Sequence, residues 1–508
     1  MSKLFRTNEI PQLDRLTIEY EHVASIDLME RAATTVREFI NLHYAACETV
    51  VCVGPGNNGG DGLAVARMLA DDGYSVEVLR LTGTNGRVSA DHEANWQRLD
   101  RQNINVVNSI NSFTPTGNVL IVDALFGTGL SRPLEGEAAE LVQRINASQA
   151  DVVSIDMPSG LGAEDQPIEG RAIVRATHTV VFELPKIMCY LPEAAPFVGK
   201  WHVYDIGLSD RAINEVPSPF RLNGEAELRR MLKPRSPFAH KGNMGRAVLV
   251  AGARGMMGAA VLASRATLRT GAGLLTTVCP DCGYQILQTA VPEAMCLSYA
   301  ESEIATVVKQ LTHLRPTAIG IGPGLGKGLV ANELVHYVMN NFPDVPKVID
   351  ADGLNVLSEL LRDGETVDLS NCILTPHPIE FERLTETYGS TYERIVAASE
   401  FARKHRTTVI LKGAYTVVAT ADNIVTFNAL GGNSGLATAG SGDTLTGIAL
   451  GLLAQGYSSA EAAQLAVGLH SLAGRCARDK YGEHAMIAGD IVDNIGAAFA
   501  IIYPKQKR

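Results

Sequence analysis

Twice along this chain short β-branched runs alternate with segments of helical spacing, and the junctions from strand to helix are rich in glycine. Successive βα units bury both elements only as a mostly parallel sheet covered by helices, so this rhythm restricts the chain to α/β architecture. In the first third, Thr49–Val53 reads as a strand and Ser75–Leu81 as the next. Between them Asp61–Asp72 carries Leu63, Ala66, Leu69 and Ala70 at helical spacing. Val119–Val122, Val152–Ile155, Thr177–Phe182 and Trp201–Tyr204 are further strands, and Asp91–Arg101 and Glu137–Ile145 further helices. The leading segment Asp14–Ile40 is expected to be helical and to pack outside this core. Val216–Pro237 gathers Pro217, Pro219, Pro234 and Pro237 around a short charged helix, Glu225–Leu232. The rhythm then restarts with the strand Arg246–Ala251, the helix Met257–Thr270 and the strand Leu275–Val278. Ala318–Ile321, Lys347–Ile349, Cys372–Thr375, Thr408–Leu411 and Thr416–Ala419 read as strands, and Asp443–Gln455 and Ser459–Asp479 as helices. A length of 508 residues exceeds one ordinary core. We therefore expect domains over 1–215 and 237–508, joined by a linker region at 216–236.

Composition narrows the ligand. The net charge of −11 argues against nucleic acid as the main partner, but a few lysines and backbone amides can still hold a small phosphorylated molecule. Forty-eight glycines supply the tight turns such loops need. Among eight cysteines one CxxC pair occurs, Cys279 and Cys282, without a second pair or a nearby histidine cluster. Free thiols are expected there rather than a zinc or redox centre. Met1–Asp14 has no apolar leader core, and no uninterrupted apolar run reaches membrane-spanning length, so a cytoplasmic location without a membrane partner is expected.

The junction Gly54–Gly62, GPGNNGGDG, fits G-x-G-x-x-G. Such a loop lets backbone approach a phosphate while the helix N-terminus aims amides at it, although glycines after a strand can also form a plain turn. Asn57 and Asn58 add side-chain amides, and Asp61 can cap the following helix. Asp123–Gly129 and Asp156–Gly160 end two later strands. Ligands of open α/β sheets bind at the carboxyl ends of strands, so three polar ends describe one crevice. Each aspartate alone could equally be a helix cap or turn former. Asn and Ser oxygens beside a single Asp suit a weakly held monovalent cation. No acidic residue stands at the end of the second strand to hold a ribose, since Glu77 lies within it, and a classical dehydrogenase is disfavoured.

In the second half, Gly440-Ser441-Gly442-Asp443 opens a long helix. Amides at a helix N-terminus form an anion hole, and a carboxylate beside them can take a proton from an attacking hydroxyl, which is the layout phosphoryl transfer needs. A plain Asp cap is the alternative. Lys412, after a strand, could hold a phosphate or stand in solvent. His377, between two prolines, is rigidly placed for a site or for a turn. Asp350 and Asp352 could support a metal or merely cap the helix that begins at Gly353.

The combination GPGNNGGDG, DALFGTGL and SIDMPSG resembles the NAD(P)H-hydrate epimerase family over roughly residues 10–210. The resemblance implies a Rossmann-like three-layer sandwich. It implies that Asn57, Asn58, Gly59, Gly60 and Asp61 contact the substrate phosphate region. Gly127, Thr128, Gly129, Leu130, Ser131, Arg132 and Pro133 would line the substrate, Asp156 would contact it as the acid–base group, and Asn58, Asp123 and Ser159 would hold K+. From about residue 225 to 500, the segments KGNMGRAVLVAGARGMMGAA, GPGLG, DADGLN, LTPHP, LKGAYT and AGSGDTLTG resemble the ribokinase-like superfamily. Within it they are similar to the ADP- or ATP-dependent NAD(P)H-hydrate dehydratases. That resemblance implies a ribokinase-like α/β domain in which Ala260, Gly324, His377 and Asp443 contact the hydrated cofactor. Lys412, Gly413, Ala414, Tyr415, Thr416 and Gly442 would contact the adenine nucleotide, with Asp443 catalytic. The implied function is repair of NADH hydrate and NADPH hydrate, with ADP as phosphate donor accompanied by Mg2+, in a homo-oligomer. The rival expectation is a ribokinase-like small-molecule kinase with a regulatory nucleotide-binding N-terminal domain.

Overall fold

In the strand Glu48–Val53, Val51 and Val53 serve one core and Cys52 the other, and all three are fully buried. A strand buried on both faces belongs inside a parallel sheet. The computed structural model describes residues 2–81, 88–99, 104–113, 115, 119–130, 132–300 and 304–503. The chain divides into one unit built on Lys3–Ser218 and another built on Pro219–Gly389 and the segment from Glu393 onward.

The first unit holds a seven-stranded parallel sheet. Its order is Asn105–Val107, Ser75–Arg80, Glu48–Val53, Leu120–Ala124, Asp151–Ile155, His178–Phe182 and Lys200–Tyr204. Chain order reverses between Glu48–Val53 and Leu120–Ala124, so a crevice opens outside the carboxyl ends of these two neighbours. Ser25–His43 and Asn57–Asp71 cover one face through Phe39, Leu63 and Leu69. Gly136–Ala147 covers the other through Leu141 and Ile145, giving three layers. Truncating any of these buried side chains to Ala would cost about 2–5 kcal/mol.

Two expectations need correction. The leading segment is two helices, Ile10–Glu21 and Ser25–His43, because His22 adopts φ 52° and ends the first. The second of them is not peripheral, since Ala33, Val36, Phe39 and Ile40 belong to the main core. The segment 216–236, expected as a linker, contains the strand Phe220–Asn223 and the helix Glu225–Met231. That strand pairs in parallel with Val425–Asn428, and Val425 donates a backbone hydrogen bond to the Pro219 carbonyl. The prolines thus frame the first strand of the second unit rather than a free connection.

In the second unit the strands run Phe220–Asn223, Val425–Asn428, Val417–Ala419, Thr408–Leu411, Cys372–Leu374, Lys347–Ile349, Ala318–Ile321, Arg246–Val250, Leu274–Pro280 and Met295–Tyr299. From Thr408–Leu411 to Met295–Tyr299 neighbours are parallel. Two antiparallel pairings, through Val417–Ala419, turn the chain back at Lys412–Thr416. The helices Met257–Thr270, Ser441–Ala454, Ser459–Tyr481 and Ala488–Ile502 share one core with Leu249, Val348, Ile373, Ile410 and Val418 of the sheet. Ser441–Ala454 is buried nearly all round, as its continuous apolar run requires. Its N-terminus is therefore held by packing along the whole helix.

Candidate functional site

The first unit encloses a cavity of about 460 Å3. Asn57, Asn58 and Asp61 reach it from the start of the helix Asn57–Asp71, and Gly127, Thr128, Gly129 and Leu130 from the end of Leu120–Ala124. Asp156 lines it from the end of Asp151–Ile155. Gly59 and Gly60 are buried beneath it, and Ser131 lies outside the described residues. Arg132 and Pro133 are exposed and do not line it. The helix begins earlier than its apolar pattern shows: Gly56 is the N-cap, so Asn57–Asp61 form the first turns and Asp61 caps nothing. Gly59 is dictated by a close approach, since a Cβ there would stand 1.8 Å from the Gly54 carbonyl oxygen.

The cavity is also strongly acidic. Asp14 and Asp91 join Asp61 and Asp156 around it, with Lys186 as a cation. Lys186 Nζ lies 3.2 Å from Asp156 Oδ1, and both side chains are largely buried. Asp156 takes φ 61°, a conformation that turns the chain after its strand, and its Oδ1 accepts from the Phe182 amide. Burial pushes the Asp14 carboxyl up to about 6, with Lys186 pulling it back and Asp156 adding to the rise. Burial, then Asp156, Asp14 and Asp91, drive the Asp61 carboxyl well above its usual range. The pocket thus sets carboxyls whose burial favours the protonated form beside an aspartate–lysine pair, an arrangement suited to proton transfer. Asp14 and Lys186 were missed in the sequence, because each lies inside an otherwise ordinary helix or turn.

Beneath the cavity Asp123 is fully buried. Its carboxylate accepts from Ser154 Oγ at 2.8 Å, Ser159 Oγ at 2.5 Å and the Ser159 amide at 2.8 Å. Burial raises its pKa and these hydrogen bonds oppose the rise. Ser159 Oγ also reaches the Phe126 carbonyl at 3.0 Å. Asn58 packs beside Gly127, and its buried Nδ2 has no partner among the described residues.

In the second unit the chemistry gathers at the N-terminus of Ser441–Ala454. Gly440 is the N-cap at φ 89°, and helix geometry leaves the next amides without intrahelical acceptors. Asp443 stands in the first turn rather than at the cap. Burial pushes its carboxyl up to about 6, Asp350 and Asp352 add to the rise, and Lys412 opposes it. Lys412 Nζ contacts Asp350 Oδ1 at 3.0 Å and Glu380 Oε2 at 3.6 Å. Burial lowers the Lys412 pKa, but Asp350, Glu380 and Asp443 together outweigh it and raise it. A Cβ on Gly442 would lie 3.6 Å from Lys412 Nζ, so the ammonium stands beside the amide-bearing turn.

The hairpin Gly413–Thr416 follows Lys412 directly, closed by Thr416 Oγ1 donating to the Gly413 carbonyl, with Ala414 accepting from the Gly432 amide. Tyr415 packs on Gly431. His377 is half-exposed and caps the helix Pro378–Leu384, its Nδ1 accepting from the Glu380 amide at 3.3 Å. Gly324 lies against Met256, whereas Ala260 is fully buried against Gly252 and presents no surface to a ligand. Asp352 accepts from the Gly326 amide. Gly322 is fixed by a close approach: at φ 122°, its Cβ would stand 1.8 Å from the Asp350 carbonyl oxygen. His470 also went unnoticed in the sequence. Its Nε2 is 3.1 Å from both Ser441 Oγ and the Ser441 carbonyl. Burial lowers its pKa to about 4, against the Ser441 hydrogen bond and with help from Lys412, so it is neutral.

Residues 25–188 match the family described as YjeF-related protein N-terminus, and residues 247–496 the family described as NAD(P)H-hydrate dehydratase. A bifunctional NAD(P)H-hydrate repair enzyme of Moorella thermoacetica is 36% identical over 96% of this chain and 94% of its own length. The chain belongs to the bifunctional NAD(P)H-hydrate repair enzymes. The relative of that description in Coxiella burnetii is 33% identical, over 97% of this chain and 99% of its own. Among solved structures, a ribokinase-like superfamily protein of Enterococcus faecalis is similar at 28% identity and TM-score 0.49, covering 56% of this chain and 96% of that one. The ADP/ATP-dependent NAD(P)H-hydrate dehydratase of Bacillus subtilis, co-crystallized with ATP/Mg2+, is similar at 29% identity and TM-score 0.47, covering 56% and 98%.

Proposed function

We propose that the unit built on Lys3–Ser218 interconverts the R and S epimers of NADH hydrate and NADPH hydrate. The unit from Pro219 onward then dehydrates the S epimer with ADP, releasing AMP and phosphate. The observation that carries the second half is the meeting of Asp443, Lys412 and the Gly440–Gly442 turn at one helix N-terminus. Hydroxide is a poor leaving group, so the hydrate's hydroxyl must first be activated. Asp443 accepts the hydroxyl proton as that oxygen attacks the terminal phosphorus of ADP, and AMP departs. The amides of the turn and Lys412 meet the charge on the transferred group. The C–O bond then breaks toward phosphate as the ring nitrogen donates its lone pair. Loss of a proton from the adjacent ring carbon restores the double bond. In the first unit Asp156 and Asp61, whose carboxyl burial holds well above its usual range, carry protons to and from the hydrate while the turn Asn57–Asp61 receives its phosphates.

Two ions enter this reading. Asp123, Ser159, the Phe126 carbonyl and the Asn58 amide form a hard-oxygen set with one negative charge, which fits K+. The unpartnered Asn58 Nδ2 supports this, because turning the amide places its oxygen there instead. Held by these residues, K+ would supply one fixed positive charge to the site. Mg2+ would arrive with the nucleotide and supply positive charge to its phosphates. Among the described residues no group of three or more His, Cys, Asp or Glu is placed to hold a metal. No helix among them is long and apolar enough to cross a membrane. The net charge of −11 supports a protein whose partners do not include nucleic acid.

Full-length relatives carry the repair description, which favours repair over a kinase with a regulatory N-terminal unit. The deciding experiment supplies both hydrate epimers with ADP or ATP and follows reduced-nicotinamide absorbance. Complete recovery with ADP, alongside AMP and free phosphate, is expected. A stable phosphorylated product without recovery would support the kinase.

A further inference from the structure

We propose that Asp350 is a positioning residue of the dehydration site, clamping Lys412 and the first turns of Ser441–Ala454 into one rigid phosphate-binding face. The proposal rests on the dehydratase reading of this unit. Asp350 follows the strand Lys347–Ile349 and is 1% exposed. Its two oxygens serve two different elements. Oδ1 accepts from Lys412 Nζ at 3.0 Å, and Oδ2 accepts from Thr446 Oγ1 at 2.6 Å. Thr446 sits on the helix that Gly440 caps, three residues after Asp443 and so on the same side of it. A Cβ on Gly442 would lie 3.6 Å from Lys412 Nζ and 3.8 Å from Asp350 Oδ2, which closes the triangle of strand end, lysine and helix turn.

A buried carboxylate is costly unless paired and hydrogen-bonded, and here Lys412 supplies the charge and the buried Thr446 hydroxyl a hydrogen bond. Glu380 is the looser partner of Lys412, at 3.6 Å, so Asp350 sets the direction of the ammonium. The backbone separates the two aspartates of this turn. Ala351 adopts φ 49° and ψ −119°, a region that L-residues avoid, and Asp352 is sent instead to the Gly326 amide. With both Asp350 oxygens engaged by Lys412 and Thr446, its role is to hold the lysine rather than a metal.

The charged and titratable groups facing this clamp are Lys412, Glu380, Asp443 and Asp352, with neutral His470 behind the turn. The negative charge of Asp350 pushes the Asp443 carboxyl up and stabilises the Lys412 ammonium. Removing it lets Asp443 ionise, and Lys412 lose its proton, at lower pH.

The test uses the full chain as Asp350→Asn, Thr446→Val and Thr446→Ser. Steady-state dehydration across pH gives kcat and KM for ADP. Acylation of Lys412 across pH, read by peptide mass spectrometry, gives its protonation midpoint without turnover. Asp350→Asn should raise KM for ADP on the order of tenfold, as expected for a lost charged hydrogen bond. It should also move the acid limb of kcat/KM and the Lys412 midpoint to lower pH. Thr446→Val should raise KM several-fold, and Thr446→Ser should restore it. A folded Asp350→Asn protein with unchanged KM and unchanged Lys412 midpoint overturns the clamp. If that variant does not fold, Thr446→Val with wild-type KM and midpoint overturns it. A wild-type chain that dehydrates nothing with any adenine nucleotide would sink the dehydratase reading, while the Lys412 midpoints would still decide the clamp.

Discussion

Replacing Asp443 with Asn removes the proposed base while keeping the side chain's size. In the free protein the Asp443 carboxyl titrates near 6, pushed up by burial and by Asp350 and Asp352. A base works only when ionised. A group with that pKa is about 90% ionised at pH 7, about half at pH 6 and about 10% at pH 5, so kcat/KM should fall roughly tenfold per pH unit below the midpoint. A positioned general base contributes roughly 10²–10⁴ in rate, so Asp443→Asn should lose about 3–5 kcal/mol of transition-state stabilisation. ADP binding should hold or tighten, because a negative charge near the nucleotide phosphates is gone. The assay is recovery of reduced nicotinamide from the purified S hydrate, with ADP affinity measured by calorimetry. A flat kcat/KM profile from about pH 5 to 8, or an Asn variant keeping more than about a tenth of wild-type kcat, would refute the assignment of the base.

Three further outcomes follow from the same geometry. Gly322→Ala places a Cβ against the Asp350 carbonyl at a positive φ, and should destabilise the second unit by about 3 kcal/mol, read in denaturant unfolding; an unchanged midpoint would contradict the close approach. Lys186→Met strips Asp156 of its buried partner, and should cost about 3 kcal/mol and stop epimer exchange while S-hydrate dehydration continues. Unimpaired epimer exchange would remove Lys186 and Asp156 from the mechanism. Ser159→Ala removes one oxygen beside Asp123, and should raise the K+ concentration for half-maximal epimerisation about tenfold. An unaltered K+ response would place the cation elsewhere.

Much of the fold was legible because parallel strands and their covering helices declare themselves locally. Met257–Thr270, Ala318–Ile321, Lys347–Ile349 and Thr408–Leu411 have the same limits in the sequence pattern and in the structure. Elements that owe their form to distant partners were illegible. Val425–Asn428 has only four residues and exists by pairing on both sides. Phe220–Asn223 hid among prolines. Met295–Tyr299 is an edge strand with little β-branching. At the sites, glycine-rich junctions pointed to the strand ends, since close approaches and helix N-termini leave a local imprint. The partners of the key charges left none. Asp14 reaches the first cavity from a helix over 100 residues before Asp156. Asp350 meets Thr446 across 96 positions, and His470 meets Ser441 across 29. Such contacts are set by sheet order and helix packing, which no local spacing encodes.

A structure of the full chain with ADP and Mg2+ bound addresses most directly whether the helix start at Gly440 receives the phosphate. The terminal phosphate should lie within hydrogen-bonding distance of the Gly442 and Asp443 amides and of Lys412 Nζ, with the Asp443 carboxylate facing the open side. A nucleotide bound away from that turn, with Lys412 and Asp443 contacting no ligand, would contradict the account.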